Sequence, residues 1–146
     1  MSKYIGLGIF IIGMYILQYV FTYLQMNSFR KYFSKFIRDG KVAIGIKKGA
    51  IKAGSIVLFC VNDIGIISNC AYVHGVSVFA RFKEYSIFNK MNIKDLDLEL
   101  LNNMKLEKNV KLAILNAKEN FIKAENGLEI EMEKSPVQKF LSKIKK

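Results

Sequence analysis

No charged residue occurs between Tyr4 and Phe29, and the stretch YIGLGIFIIGMYILQYVFTYL (4–24) is almost wholly apolar. As an α-helix it would be about 31 Å long, the thickness of a bilayer's hydrocarbon core. It is apolar all round rather than along one stripe, and a chain of 146 residues has no core large enough to wrap such a helix. Tyr4 lies at one end; Tyr19 and Tyr23 lie toward the other, where amphipathic rings favour the interface. The run is too long for a typical signal peptide, and TYLQMN offers no small-x-small cleavage site. An uncleaved transmembrane anchor over 1–26 is therefore expected.

The pattern then changes. In NSFRKYFSKFIRDG (27–40), Phe29, Tyr32, Phe33, Phe36 and Ile37 recur at helical spacing, and Gly40 is a natural stop. This predicts that the helix continues as an amphipathic segment. Its stripe can pack on the strands that come after Gly40, or it can graze the bilayer while its basic residues meet acidic lipid. Packing is favoured, because those strands need a cover on their apolar face.

Residues 41–83 read as an antiparallel meander of four strands. KVAIGIK alternates, with Val42, Ile44 and Ile46 expected inward. KKGAIKAG (47–54) is a glycine-bearing loop. SIVLFCV (55–61) is apolar on both faces, as a central strand would be. NDIG (62–65) is turn chemistry, IISNCAYV (66–73) is the third strand and VSVFARF (76–82) the fourth. His74 and Gly75 then form the tight turn between the last two. With Asp63 and Ile64 as a two-residue loop, Cys60 faces Ile67 and Cys70 faces Val57. The two cysteines point to opposite sides of the sheet, so no intramolecular disulfide is expected.

Beyond the sheet, residues 86–101 read as a short turn or helix with a connector. NVKLAILNAKENFIKAENG (109–127) is a helix lined by Val110, Ala113, Ile114, Ala117, Phe121 and Ala124, ended by Gly127. In the tail, Ser135 caps and Pro136 opens a short basic amphipathic helix with Val137, Phe140, Leu141 and Ile144 on one face. It reads equally as a return to the membrane surface or as a solvated terminus. The expected fold class is thus α+β: one transmembrane helix continuing into an amphipathic helix, then a four-stranded meander packed with C-terminal helices. Residues 1–26 are the anchor, 27–127 the cytoplasmic domain and 128–146 a charged tail.

Charge sets the orientation. The formal net charge is +11, which points to anionic partners. Only Lys3 precedes the apolar run. Arg30, Lys31, Lys35, Arg38, Lys41, Lys47, Lys48 and Lys52 come after it, against the single acid Asp39. The positive-inside rule puts this side in the cytoplasm and makes Arg30, Lys31, Lys35 and Arg38 candidate membrane-surface contacts. Two cysteines suit a reducing compartment. The basic cluster can also meet nucleic-acid phosphates, but strands succeed the basic helix where a helix-turn-helix needs a second helix. Direct contact with DNA stays open at this point, and sequence-specific reading by this chain alone is disfavoured.

Candidate chemistry is sparse. One histidine, His74, excludes most zinc sites and has no partner that the sequence identifies. Asp95, Asp97 and Glu99 lack the glycine and the final carboxylate of a calcium loop. IGIKKGAIKAG lacks the ending of a phosphate-binding loop. No catalytic group, metal or cofactor is expected, and the chain is not expected to be an enzyme. His74 and Arg81 are candidate partner contacts; Arg81 is either solvated or an anchor for a carboxylate or phosphate.

Three stretches carry a resemblance. SFRKYFSKFIRDGKVAIGIKKG (28–49), HGVSVFARFKE (74–84) and NIKDLD (92–97), in this order behind one apolar helix, resemble the glucitol operon activator family, GutM. The resemblance covers roughly 5–125, and Phe82 stands where the family pattern has proline. It implies a regulatory protein that promotes expression of a glucitol (sorbitol) uptake operon encoding a phosphotransferase transporter. A protein partner is implied, either a regulator or a permease component. An accessory subunit of the transporter is the alternative. The resemblance brings no catalytic or DNA-contacting residues.

Overall fold

A computed structural model describes residues 2–49, 53–75 and 80–130. The apolar run and the amphipathic segment form one unbroken helix, α1 (Ser2–Asp39). Strands β1 (Lys41–Lys47), β2 (Gly54–Val61), β3 (Ile67–Gly75) and β4 (Lys83–Glu84) come next, then α2 (Leu98–Asn102) and α3 (Lys108–Glu125). The sheet is antiparallel throughout, in the order β1-β2-β3-β4. The α+β expectation holds.

The sheet has a core on each face, as the two-sided apolar sequence of β2 requires. On one face Val57, Phe59, Val61, Ile67 and Cys70 pack against Phe88, Ile93, Leu96 and the inner side of α3. On the other, Leu58, Cys60 and Ala71 pack against Phe36 and Phe82, with Phe29 and Tyr32 beside them. Each fully buried large side chain contributes about 2 kcal/mol by removal from water. The amphipathic half of α1 thus covers the sheet, although Ile37 of its predicted stripe is exposed.

Four expectations need correction. First, β1 is covered on both faces: Val42 and Ile44 face the α1 core as expected, but the positions expected outward are covered too. Ala43 and Gly45 are its buried residues, while Val42, Ile44 and Ile46 are only half-buried on the other face. The reason is α3, which lies so close that a Cβ on Gly45 would come within 2.6 Å of the Ala117 amide nitrogen and would also strike the Ala113 carbonyl. Small residues face α3 because nothing larger fits. Second, β3 runs on through His74 and Gly75, which pair with Ser55 and Gly54, so these residues are not a turn. Third, β4 is only Lys83–Glu84, and Ala80, Arg81 and Phe82 are not in a strand. Residues 76–79 of the predicted strand, like the predicted helix after Ser135, lie outside the described residues. Fourth, the β2–β3 register is displaced by an irregularity at Cys60/Val61, so Cys70 pairs with Phe59 rather than Val57. Beyond the irregularity the shift is by two positions, which leaves both cysteines on their expected faces; at the turn it is by one, so Ile67, expected opposite Cys60, pairs with Val61 and lies on the other face. Cys60 and Cys70 are accordingly free and on opposite faces.

The connector is held by side-chain caps. Asn62 Oδ1 accepts from the amides of Ile64 and Ile66 at the β2–β3 turn. Asn92 donates to the Ile64 carbonyl and accepts from the Lys94 amide. Asp97 accepts from the Leu100 amide and caps α2, so the acidic run at 95–99 serves partly as a cap. Helix α3 buries Val110, Ala113, Ile114, Ala117 and Phe121 as predicted, while Ala124 is exposed. Gly127, at φ +68°, lies just past its end.

The Gly45 contact yields a test. Gly45→Ala should lower stability by about 3 kcal/mol through overpacking against α3. Gly6→Ala, whose added Cβ meets nothing within 4 Å, should leave the denaturation midpoint unchanged.

Candidate functional site

The polar features gather in two places. One is the end of the sheet where β2 begins and β3 finishes. Ser55 is 2% exposed and its Oγ lies 2.6 Å from Nδ1 of His74 on the neighbouring strand. The antiparallel register places them directly opposite each other, beside Lys47 of β1. His74 therefore has a partner that the sequence did not identify, because only the pairing register brings 55 and 74 together. A hydroxyl on an imidazole is the first element of a nucleophile–base pair. Among the described residues no carboxylate joins it, and the hydroxyl is buried rather than presented to a substrate. What the contact does is satisfy a buried polar group. Arg81 lies just before Phe82, and its side chain is exposed while Phe82 is buried.

The second place is a groove of about 620 Å³ along the outer edge of β1, lined by Val42, Ile44, Ile46, Phe121, Ala124 and Ile130 among others. Its floor explains why the edge is blunt. The Ile46 amide donates to Asn116 Oδ1 at 2.9 Å, and Asn120 Nδ2 donates to the Ile44 carbonyl at 2.9 Å. Asn109, in the first turn of α3, donates to the Ala53 carbonyl at 2.6 Å. Asn116 and Asn120 take the place of a neighbouring strand at the β1 edge and obstruct pairing with another chain. The sequence held a signal for them: asparagines at 109, 116 and 120 share a helix side with Ala113 and Ala117.

The basic residues of α1 divide. Lys35 Nζ meets Glu84 Oε1 at 3.1 Å, tying α1 to β4. The hydrogen bond and the charge of Glu84 hold its ammonium above the ordinary lysine pKa. Arg38 Nε donates to the Ser34 carbonyl. Arg30 and Lys31 are exposed. Among the described residues no group of three His, Cys, Asp or Glu side chains could hold a metal ion.

Two outcomes are expected. Ser55→Ala should cost about 1 kcal/mol, whereas His74→Ala, which strands the buried hydroxyl, should cost about 2 kcal/mol; a double-mutant cycle in urea should return a coupling between them. Burial pushes the Cys70 thiol well above its ordinary pKa. In the native protein it should resist maleimide even at alkaline pH, where an exposed thiol is already thiolate, and react only after denaturation.

Comparison with known proteins agrees with the three stretches that carry the resemblance. The family described as glucitol operon activator protein (GutM) matches residues 6–114, from within the apolar part of α1 to the middle of α3. No curated protein and no solved structure matches the chain. The match takes in the helix, the whole sheet and the connector, and the chain belongs to the glucitol operon activator (GutM) family.

Proposed function

We propose that this chain is a membrane-anchored regulatory protein that promotes expression of a glucitol- or sorbitol-type phosphotransferase uptake operon through a protein partner. The observation that carries this reading is the family match over residues 6–114. Its role is regulatory and not enzymatic, a reading supported by the description of the family as an operon activator.

The membrane part of the reading rests on α1. It is long and apolar enough to cross a bilayer, and its apolar stretch is unburied. Tyr4, Phe10, Ile12 and Tyr19 all stand more than half exposed. In water that surface would be a large exposed apolar patch; in a bilayer it is matched to its solvent. Residues 1–26 anchor the chain, and the basic flank orients residues 27–127 to the cytoplasm.

A second reading, an accessory or assembly subunit of the sugar permease, is favoured by one feature. Helix α2 has only five residues, so α2 and α3 do not make the pair of full helices that a helix-turn-helix uses in a DNA groove. An effect on expression would then be indirect, through failed entry of the inducing sugar.

The two readings part in one experiment. The gene is deleted, the operon promoter is replaced by a constitutive one, and sugar uptake is measured. Restored uptake is the expected result and locates the role in expression. Failed uptake with normal transporter transcript would overturn it in favour of the accessory role.

A further inference from the structure

The height of the sheet relative to α1 can be read from its contacts. At Gly40 the chain reverses, and β1 and β2 lie against the last turns of α1: the Cys60 thiol meets the Phe36 carbonyl at 3.4 Å. Farther up, Phe29 and Tyr32 meet Phe82 at ring distances of 5.7 and 6.1 Å. Phe82 immediately precedes Lys83, which pairs with Tyr72, so it lies level with Val73, whose partner on β2 is Ile56. From Cys60 to Ile56 is four strand residues, about 13 Å. On a helix the same rise takes about nine residues, which leads from Phe36 to Asn27. The two measures agree with the Phe29 contact.

The next row of the sheet is Lys47, Ser55 and His74. By the same rise it lies near Gln25, and Arg81 lies beside it in the chain order that puts Phe82 one row below. Gln25 is where the apolar run of α1 gives way to the polar turn before Arg30. The end of the sheet and the end of the membrane-length segment therefore stand at one level.

Charge is distributed to match. At this end lie Lys47, Lys48 and Arg81, with Lys48 and Arg81 exposed, while the exposed Arg30 and Lys31 stand more than one helical turn farther along α1. Helix α3 also begins here, since Asn109 reaches the Ala53 carbonyl; Glu107 and Lys108 at its start cancel. The opposite end holds acids in ion pairs, Asp63 with Lys41 and Glu125 with Lys94.

Resting on the anchor reading, we propose that the sheet end bearing Lys47, Lys48, His74 and Arg81 lies against the anionic headgroups of the leaflet from which α1 emerges. The domain then has a second, electrostatic contact with the membrane and is held close to its surface rather than swinging from α1. Cations at this level meet the negative surface potential of a cytoplasmic leaflet, which acts only within a Debye length of it. His74 and Arg81 are assigned to lipid.

The test uses the full chain. Cys60 and Cys70 are buried, so a nitroxide can be placed on Lys48→Cys, Arg81→Cys or, at the far end, Asp63→Cys. Each is reconstituted in nanodiscs of phosphatidylcholine alone or mixed with phosphatidylglycerol. Collision with a water-soluble nickel chelate is then measured. The expected result is several-fold lower nickel access at 48 and 81 than at 63, and a further fall when phosphatidylglycerol is present. In a Lys47→Gln/Lys48→Gln background the label at 81 should lose that lipid dependence. Equal access at all three positions in stably inserted protein would overturn the proposal and leave the anchor reading intact. Loss of the chain from the discs on alkaline washing would instead defeat the anchor reading. Withdrawal of the labels from the leaflet on adding duplex DNA would identify nucleic-acid phosphate as the preferred anion and overturn the lipid assignment.

Discussion

Burying β2 on both faces demands a cover on each side of the sheet, and the rest of the fold is arranged around that demand. Val57, Phe59 and Val61 need one cover and Leu58 and Cys60 need another. A four-stranded sheet cannot bury itself. The chain supplies α1 before the sheet and α3 after it. Because α1 enters directly from the apolar run without a break, the cover on one face is also the continuation of the membrane-length helix.

The two covers make contact in different ways. Helix α3 approaches by removing side chains, with Gly45 and Ala43 facing Ala113 and Ala117, and then uses asparagines to close the edge it overhangs. Helix α1 approaches through rings, with Phe29 and Tyr32 against Phe82 and Phe36 edge-on to Tyr32. Close backbone approach gives the α3 face little tolerance for added volume. Aromatic packing leaves the α1 face a wider, partly exposed seam, sealed at one point by the Lys35–Glu84 pair. That pair is half-exposed and contributes little to stability.

The three stretches that carry the family resemblance have separable structural jobs. Residues 28–49 build the α1 cover and the edge strand. Residues 92–97 pin the connector: Ile93 and Leu96 are fully buried, Asn92 bridges the β2–β3 turn and Asp97 caps α2. Residues 74–84 contain the end of β3, Arg81 and the ring of Phe82, which packs on α1.

Much of this was legible in one dimension. Periodicity is a local property, so the apolar run, the stripe at 29–37, the central strand and the buried side of α3 could be read directly. The face of each cysteine survived even a wrong register, because an even slip preserves the pleat. What tertiary structure decided is whatever depends on a neighbour distant in the chain. The burial of Ala43 and Gly45, expected to face outward, came from α3, far along the sequence, pressing on Gly45. The fate of residues 80–82 was set by α1, whose rings draw Phe82 inward as an isolated contact rather than as part of a strand. The pairing of Ser55 with His74 needed the register of two strands, and the level of that pair beside Gln25 needed the helix and sheet together. Composition and spacing determine which residues want burial; only the packed chain decides what buries them.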